Sequence, residues 1–261
     1  MVQPELPANW AAVRVAVTQS GLGGRQDDHA LVSADRGFNL GDHVGDEPAA
    51  VFARRQVLEL ELGAPILWLN QVHGCEVAQA AAERLGQAVQ ADASVSTSPT
   101  RALAIMTADC LPVVFTAFDR QGQALGVGAA HAGWRGLHAG VLQACLSRLA
   151  QSCSVPPSQI QAWMGPAIGP LSFEVGAEVH AAFVDQHPDN QVCFTAQNDG
   201  SAKYLADIYG LARLALLQAG CSQVLGGGQD TFTNANWYSH RRWQKGLGPN
   251  GRQATLIRLL P

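Results

Sequence analysis

The hydrophobic and polar positions of this chain recur with two periods, and the changes of period mark out its elements. Val13-Arg14-Val15-Ala16-Val17-Thr18 alternates with a period of two, as a half-buried strand does. Residues 48 to 62 carry helical spacing, and Ile66-Leu67-Trp68-Leu69-Asn70 reads as a short buried strand. Three apolar runs then follow one another: 103–107, 113–117 and 125–130. The turn Asp119-Arg120-Gln121-Gly122 joins the last two. A helix is predicted from about Gly136 to Gln151, where Leu137, Val141, Cys145 and Leu149 recur every four residues and Leu142 and Leu146 widen the stripe. A second covers about 203–219, with Leu205, Ile208, Ala212, Ala215 and Leu216 on one side and Gly220 as its stop. Residues 224–225 and 255–260 read as late strands.

No internal repeat, low-complexity tract or long Pro/Ser-rich linker divides the chain, so residues 1–261 are expected to form one domain. Its class is α/β (α+β), a mixed sheet covered by helices. Strands and helices alternate too irregularly for a doubly wound parallel fold. The formal net charge is −4 with no run of Lys or Arg, which excludes an electrostatic nucleic-acid footprint and gives no sign of a membrane surface. No signal peptide is visible and no apolar run approaches the roughly 18 residues that span a bilayer, so a cytoplasmic protein is expected. The six cysteines, none in a Cys-x-x-Cys pair, then read as reduced thiols, most of them packing in the core.

Three short segments carry the candidate chemistry. His73 sits in Asn70-Gln71-Val72-His73-Gly74, and Cys110 in Thr107-Ala108-Asp109-Cys110-Leu111-Pro112. His131 sits in Ala129-Ala130-His131-Ala132-Gly133-Trp134-Arg135-Gly136. Zn²⁺ takes imidazole nitrogen and thiolate sulfur, and three protein ligands leave a fourth position for water or substrate, the mark of a catalytic site. Cys110 and His131 flank the predicted hairpin, which returns the chain to near its start. Extended backbone ahead of Pro112 puts Asp109 and Cys110 on opposite sides, so that one faces the site and the other orients a ligand from behind or holds the loop. If residues 71–73 are extended, Gln71 shares a face with His73 and neighbours the metal. Each residue also has a plainer reading: a lone histidine in an apolar strand is commonly a bonded core residue, and a lone cysteine is commonly packing. No local metal spacing binds the three together, and a Cys-His nucleophile pair fits equally well.

Taken together and in order, these three motifs resemble the family long labelled laccase-domain or multicopper polyphenol oxidase, whose members are regarded as purine nucleoside phosphorylases with adenosine deaminase activity. The likeness runs through most of the chain. Asn39-Leu40-Gly41-Asp42-His43-Val44-Gly45-Asp46 is similar to an early family segment. Gly165-Pro166-Ala167-Ile168-Gly169 followed by Phe173-Glu174-Val175-Gly176 matches another, and Tyr238-Ser239-His240-Arg241-Arg242 with Gly251-Arg252 a closing one. The resemblance implies that His73, Cys110 and His131 bind zinc. It also implies a three-layer fold around a mixed sheet, related to the catalytic domain of deamidating necrotizing-factor toxins. The implied substrates are inorganic phosphate and the purine nucleosides adenosine, inosine, guanosine and methylthioadenosine. Two departures touch substrate contacts rather than the metal: Ala53-Arg54 where Asn-Arg is frequent, and His240 where an aromatic is usual.

Copper is the alternative metal, since His₂Cys ligation also suits a blue-copper site. A trinuclear oxygen-reducing centre needs His-x-His pairs, and none of the eight histidines is spaced that way. Phosphorolysis calls for cationic donors to hold phosphate. Arg135 is the first choice, its planar fork able to grip two oxygens. Arg54, Arg241, Arg242 and Arg252 follow, with Asn39 and Gln71 as further substrate contacts. Deamination needs a proton shuttle, for which Asp109, Asp92 and Glu174 are candidates. Neither Gly23-Gly24 nor Gly226-Gly227-Gly228 completes a phosphate-binding loop, so both read as turns. Two other classes stay open. One is a metal-independent amidase or hydrolase editing peptidoglycan precursors, with Cys110 as nucleophile and His131 or His73 as base. The other is a binding module that senses a nucleoside or a metal.

Overall fold

The computed structural model describes residues 1–21, 36–80, 89–197 and 200–261; the Gly23-Gly24 turn lies outside them. Ten strands build two mixed sheets. They are β1 (Val13–Val17), β2 (Ile66–Leu67), β3 (Val77–Gln79), β4 (Ala93–Ser96), β5 (Ala102–Thr107), β6 (Leu111–Phe118), β7 (Ala124–Ala132), β8 (Ile160–Met164), β9 (Gln223–Gly226) and β10 (Gln253–Leu259). One sheet has the order β1-β10-β5-β2 and the other β9-β8-β6-β7-β4-β3. The helices are α1 (Pro48–Leu62), α2 (Trp134–His138), α3 (Val141–Cys153), α4 (Ala177–Gln186), α5 (Ile208–Gln218) and α6 (His240–Gln244).

The α+β class and the mixed pairing are as the sequence pattern implies, but the strands divide between two large sheets where one was expected. Leu103, Ile105, Ile257, Val15 and Val17 of the first sheet meet Val114, Val127, Ala129 and Trp163 of the second in a core between the sheets. On the outer face of the first, Ala102, Ala104, Met106, Ala254 and Leu256 pack under Leu58 and Leu62 of α1. On the outer face of the second, Leu111, Val113, Phe115 and Ala130 pack under α3, α4 and α5 through Leu142, Leu146, Leu149, Val179, Phe183 and Leu211. Each central strand is thus apolar on both faces. A run of that kind looks the same whether a helix or a second sheet covers it, so the periodicity leaves the number of layers open.

Two helix boundaries differ from the sequence reading for local reasons. The helix expected over 136–151 is broken into α2 and α3 at Gly140, whose φ of 91° no helix interior accommodates. The helix expected from 203 starts instead at Ile208. Asp207 caps it by accepting the Gly210 amide, and residues 204–206 before it pair as a strand with 194–196. All six cysteines are free thiols.

For the site, the β6–β7 hairpin matters most. Its ladder pairs Leu111 with Ala132 and Pro112 with His131, which sets Cys110 at the same sheet end as His131. On the other side of β7, Ala93 of β4 pairs with Ala130, bringing Asp92 alongside His131.

Candidate metal centre

Three loops and one strand end converge at this corner. The Sγ of Cys110 lies 3.8 Å from the Nε2 of His73. One ligand atom from each of His73, Cys110 and His131 falls within 4.8 Å of the others. The two imidazole rings meet edge to face with centroids 4.7 Å apart. A tetrahedral ion with bonds of ~2.0–2.3 Å sets its ligands roughly 3.3–3.8 Å from one another. One pair already has that spacing, and the whole set lies within about an ångström of it. His131 is buried, Cys110 half-buried and His73 exposed, so the cluster is closed behind and accessible from the His73 side.

Small residues make the convergence possible. A Cβ on Gly133 would stand 2.8 Å from Cδ2 of His73 and 3.0 Å from Sγ of Cys110. A Cβ on Gly136 would stand 3.0 Å from the carbonyl oxygen of Gly74. The Gly-Trp-Arg-Gly run therefore presses α2 directly against the His73 loop.

The residue that wires the cluster together is Asp92, fully enclosed at 0% exposure. Its Oδ1 accepts the His131 Nδ1–H at 2.8 Å and the His73 amide at 2.9 Å. Its Oδ2 accepts the amides of Val72 at 3.1 Å and Gly74 at 2.7 Å. Holding a proton on Nδ1 leaves Nε2 of His131 as the ring nitrogen aimed at the cluster, the usual orienting role of a carboxylate behind a ligating histidine. The amide anchors also support His73 in a left-handed conformation at φ 62°. Residues 71–73 are consequently not extended, and Gln71 does not share a face with His73. Its amide instead donates to the Met106 carbonyl and accepts the Met106 N–H, tying the loop to β5.

Charge follows from this arrangement. Burial pushes the Cys110 thiol up, but His131 and His73 outweigh it and hold the thiol at about 6. Burial opposes the charged form of His131 as well, yet the Cys110 sulfur and the Asp92 carboxylate raise it to about 9. Asp92 is held below the usual carboxylate range by the His131 and amide hydrogen bonds, against the opposing effect of burial. The ion-free cluster is thus a thiolate–imidazolium pair backed by a carboxylate.

Asp109 turns away from the cluster, as alternation implies, though through a left-handed backbone at φ 86° rather than an extended one. Its carboxylate accepts the Thr231 hydroxyl at 2.6 Å and the Arg241 amide at 2.7 Å, which pins the closing segment behind Cys110. The Gly165–Gly169 segment lies along the same loop, Ile168 N–H donating to the Asp109 carbonyl.

The remaining candidates are dispersed. Arg135 is exposed, its guanidinium stacked 4.4 Å from the Trp134 ring. Arg54 is buried and pairs with Asp46 at 2.6 Å while donating to the Asn39 carbonyl. Asn39 is itself buried, its amide bound to Gly41, Asp46 and the Arg252 N–H. Arg241 donates from Nη2 to the Glu174 carbonyl, and Arg242 to the carbonyls of Thr231, Phe232, Asn234 and Trp237. The Glu174 carboxylate is engaged by Lys203 and Gln197. Sequence reasoning named Asp92 only as a possible shuttle. The missed signal was one carboxylate in the small apolar run Ala91-Asp92-Ala93, where a buried charge must be bonded.

With this geometry in view, comparisons with known proteins are decisive. Residues 23–260 match the family described as multi-copper polyphenol oxidoreductase laccase. The chain belongs to this family. It is 44% identical over 256 residues to a purine nucleoside phosphorylase of Pseudomonas aeruginosa, covering 97% of this chain and 96% of the relative. It is also 44% identical over 226 residues to purine nucleoside phosphorylase YfiH of Escherichia coli, covering 85% and 86%. Among solved structures, the Neisseria meningitidis protein NMB0706 superposes with a TM-score of 0.81 at 42% identity over 96% of both chains. YlmD of Geobacillus stearothermophilus gives 0.81 at 26% identity over 98% and 94%. The names of the curated relatives support an enzyme. Among the described residues, no helix is long and apolar enough to cross a membrane.

Proposed function

We propose that this protein is a zinc-dependent purine nucleoside phosphorylase that also deaminates adenosine. The observation that carries the reading is the convergence of His73, Cys110 and His131, in a family whose curated relatives bear the phosphorylase name. The donor set of two imidazoles and one thiolate fits zinc, and so does the Gly133 cradle that keeps the three together. When bound, Zn²⁺ supplies a Lewis acid that lowers the pKa of a coordinated water from 15.7 to about 7.

The chain's own residues do the rest. Asp92 holds the His131 Nδ1–H and so fixes Nε2 as the nitrogen that would ligate the ion, and Cys110 enters as thiolate because its two histidine neighbours favour the charged form. His73, on the rim, faces arriving substrate. In phosphorolysis a phosphate oxygen bonds to C1′ of the ribose while the C1′–N9 bond breaks and the departing base takes a proton. In deamination water adds at C6 of adenosine and ammonia leaves. Asp92, enclosed and accepting four hydrogen bonds, acts as a positioning residue and not as the shuttle. A multinuclear copper site finds no His-x-His pair in this sequence. The test is metal analysis of the purified protein beside a product assay. It should show about one zinc per chain, phosphate-dependent release of adenine or hypoxanthine, and loss of both in Cys110→Ala. Full turnover by that variant sinks the proposal.

One observation favours a second reading. Cys110, His131 and Asp92 form the order nucleophile, base and orienting carboxylate of a cysteine hydrolase, which suits cleavage of an amide. A chelator separates the two. Activity lost with EDTA and restored by zinc supports the phosphorylase. Activity that survives EDTA but stops on alkylation of Cys110 supports the hydrolase.

A further inference from the structure

Arg252 immediately precedes β10, whose first ladder pair, Gln253 with Thr107, places it beside the Ala108-Asp109-Cys110 loop. Its setting is built by residues far from it in the chain. Its amide donates to Oδ1 of Asn39 at 2.8 Å, and the same oxygen accepts the Gly41 amide at 2.9 Å. The Arg252 stem then lies on Gly41, where an added Cβ would meet its Cγ at 2.8 Å. Asp46 and Arg54 hold Asn39 from behind. The early motif and helix α1 thus form a bracket whose product is the position of one guanidinium.

That guanidinium is bonded on one side only. Its Nη1 donates to Oδ1 of Asn250 at 3.1 Å and to the Gly251 carbonyl at 2.8 Å. Its Nε and Nη2 have no protein partner, and no carboxylate forms an ion pair with it among the described residues. Asp109 is the carboxylate whose field reaches it, but its oxygens are taken by Thr231 and Arg241. Burial works against the Arg252 charge, and Cys110 and Asp109 offset this only in part. Beyond Asp109 and the Cys110 sulfur its neighbours add no anion: Arg241 is a second cation, and burial together with Arg252 and Arg241 disfavours the charged form of His240 against the pull of Asp109. The His240 Nδ1 is enclosed without a partner.

A half-enclosed cation with no carboxylate ion-paired to it among the described residues, and with an unpaired Nε/Nη2 edge, is shaped for two oxygens of one tetrahedral or planar oxyanion. Arg241, whose Nη2 is held by the Glu174 carbonyl, shares part of this condition, but three other candidates do not. Arg54 is paired with Asp46, Arg242 is bound to loop carbonyls, and Arg135 stands exposed on Trp134.

We propose that Arg252, beside His240, is the anion-binding residue of the site and takes inorganic phosphate through its Nε/Nη2 edge, next to Cys110. The proposal rests on the phosphorylase reading for its ligand, and it moves the phosphate contact from Arg135 to Arg252. In the reaction, Arg252 holds two phosphate oxygens while a third forms the bond to C1′ and the electron pair of the broken C1′–N9 bond leaves with the base.

The test uses the zinc-loaded full-length protein, inosine and varied inorganic phosphate, with calorimetric titration of phosphate alone as a second readout. Arg252→Gln should raise the phosphate KM by about tenfold or more, while the inosine KM stays within about twofold. Arg252→Lys should fall between, since it keeps the charge and loses the fork. Melting temperature and zinc content of both variants, matched to wild type, exclude a folding defect. A phosphate KM unchanged in Arg252→Gln, or raised only in Arg135→Gln, overturns the proposal. If the wild type shows no phosphorolysis, the functional reading fails by itself. Calorimetry then judges Arg252 separately: phosphate binding lost in Arg252→Gln upholds the site, and binding absent or unaltered overturns it.

Discussion

Asp92→Asn is the most revealing change at this site, because it preserves shape and removes only charge and one acceptor. The native carboxylate accepts four hydrogen bonds, two on each oxygen. Asparagine has one carbonyl oxygen, so its NH₂ must face two donors in either orientation. With the carbonyl in the Oδ1 position, His131 and His73 stay bonded and the amides of Val72 and Gly74 lose their acceptor. In the opposite orientation the buried His131 Nδ1–H is opposed, for which no water can substitute. The first arrangement wins, because the His73 loop is exposed and water can replace part of what Oδ2 gave. Each lost acceptor costs about 1–3 kcal/mol, so the low end, about 2–3 kcal/mol in all, is expected. For a chain of this size that lowers the melting temperature by roughly 4–12 °C. Metal affinity should fall about 10–100-fold, the usual effect of losing a partner behind a ligand. Both are measurable without turnover, by thermal melting of metal-free protein and by competition with a chromogenic chelator. A variant that melts within about 2 °C of wild type and binds zinc equally well would refute the wiring described here.

Three further outcomes are expected. Gly133→Ala places a methyl 2.8 Å from His73 Cδ2 and 3.0 Å from Cys110 Sγ, at a φ of −65° that alanine tolerates. The cost is therefore steric, about 1–3 kcal/mol, and chelator competition should show zinc affinity reduced at least about tenfold. Arg54→Ala leaves the buried Asp46 carboxylate unpaired and should lower stability in urea by about 3 kcal/mol or more. Against burial, the Asn39 bond and the Arg54 pair together depress the Asp46 pKa, so the part of the wild-type advantage that Arg54 supplies is present at neutral pH and shrinks as pH falls below the ordinary carboxylate range. In metal-free protein, iodoacetamide should alkylate Cys110 at a rate that holds from alkaline pH down to neutrality and falls only through about 6. Peptide mass spectrometry must be the readout, since the exposed Cys75 also reacts; a decline already under way near pH 9, the ordinary thiol value, contradicts the thiolate assignment.

Much of this architecture can be read from periodicity. The hairpin that carries Cys110 and His131 stands where the apolar runs and the Asp119–Gly122 turn put it, and α1 and α3 follow their stripes. Periodicity does not report who covers a strand, so the second sheet was invisible. The candidate ligands were legible because their flanking residues are distinctive, whereas Asp92 has plain neighbours and becomes meaningful only when four donors surround it. Likewise Asn39 and Arg54 stood out as polar residues, but their partners lie on the chain's own backbone and on Asp46, contacts set by tertiary packing.

His73 and Asp109 both occupy backbone geometry that glycine would adopt at no steric cost, at φ 62° and 86°. Each is a place where the chain tolerates discomfort because the side chain there cannot be given up. One offers an imidazole to the cluster, and the other fastens the closing segment behind the thiol. Random substitution toward glycine at these points would relax the polypeptide while dismantling the site. At His73, whose side chain is exposed, stability and activity screens should therefore rank a glycine variant in opposite order, whereas at Asp109 the lost bonds to Thr231 and Arg241 oppose the relaxation.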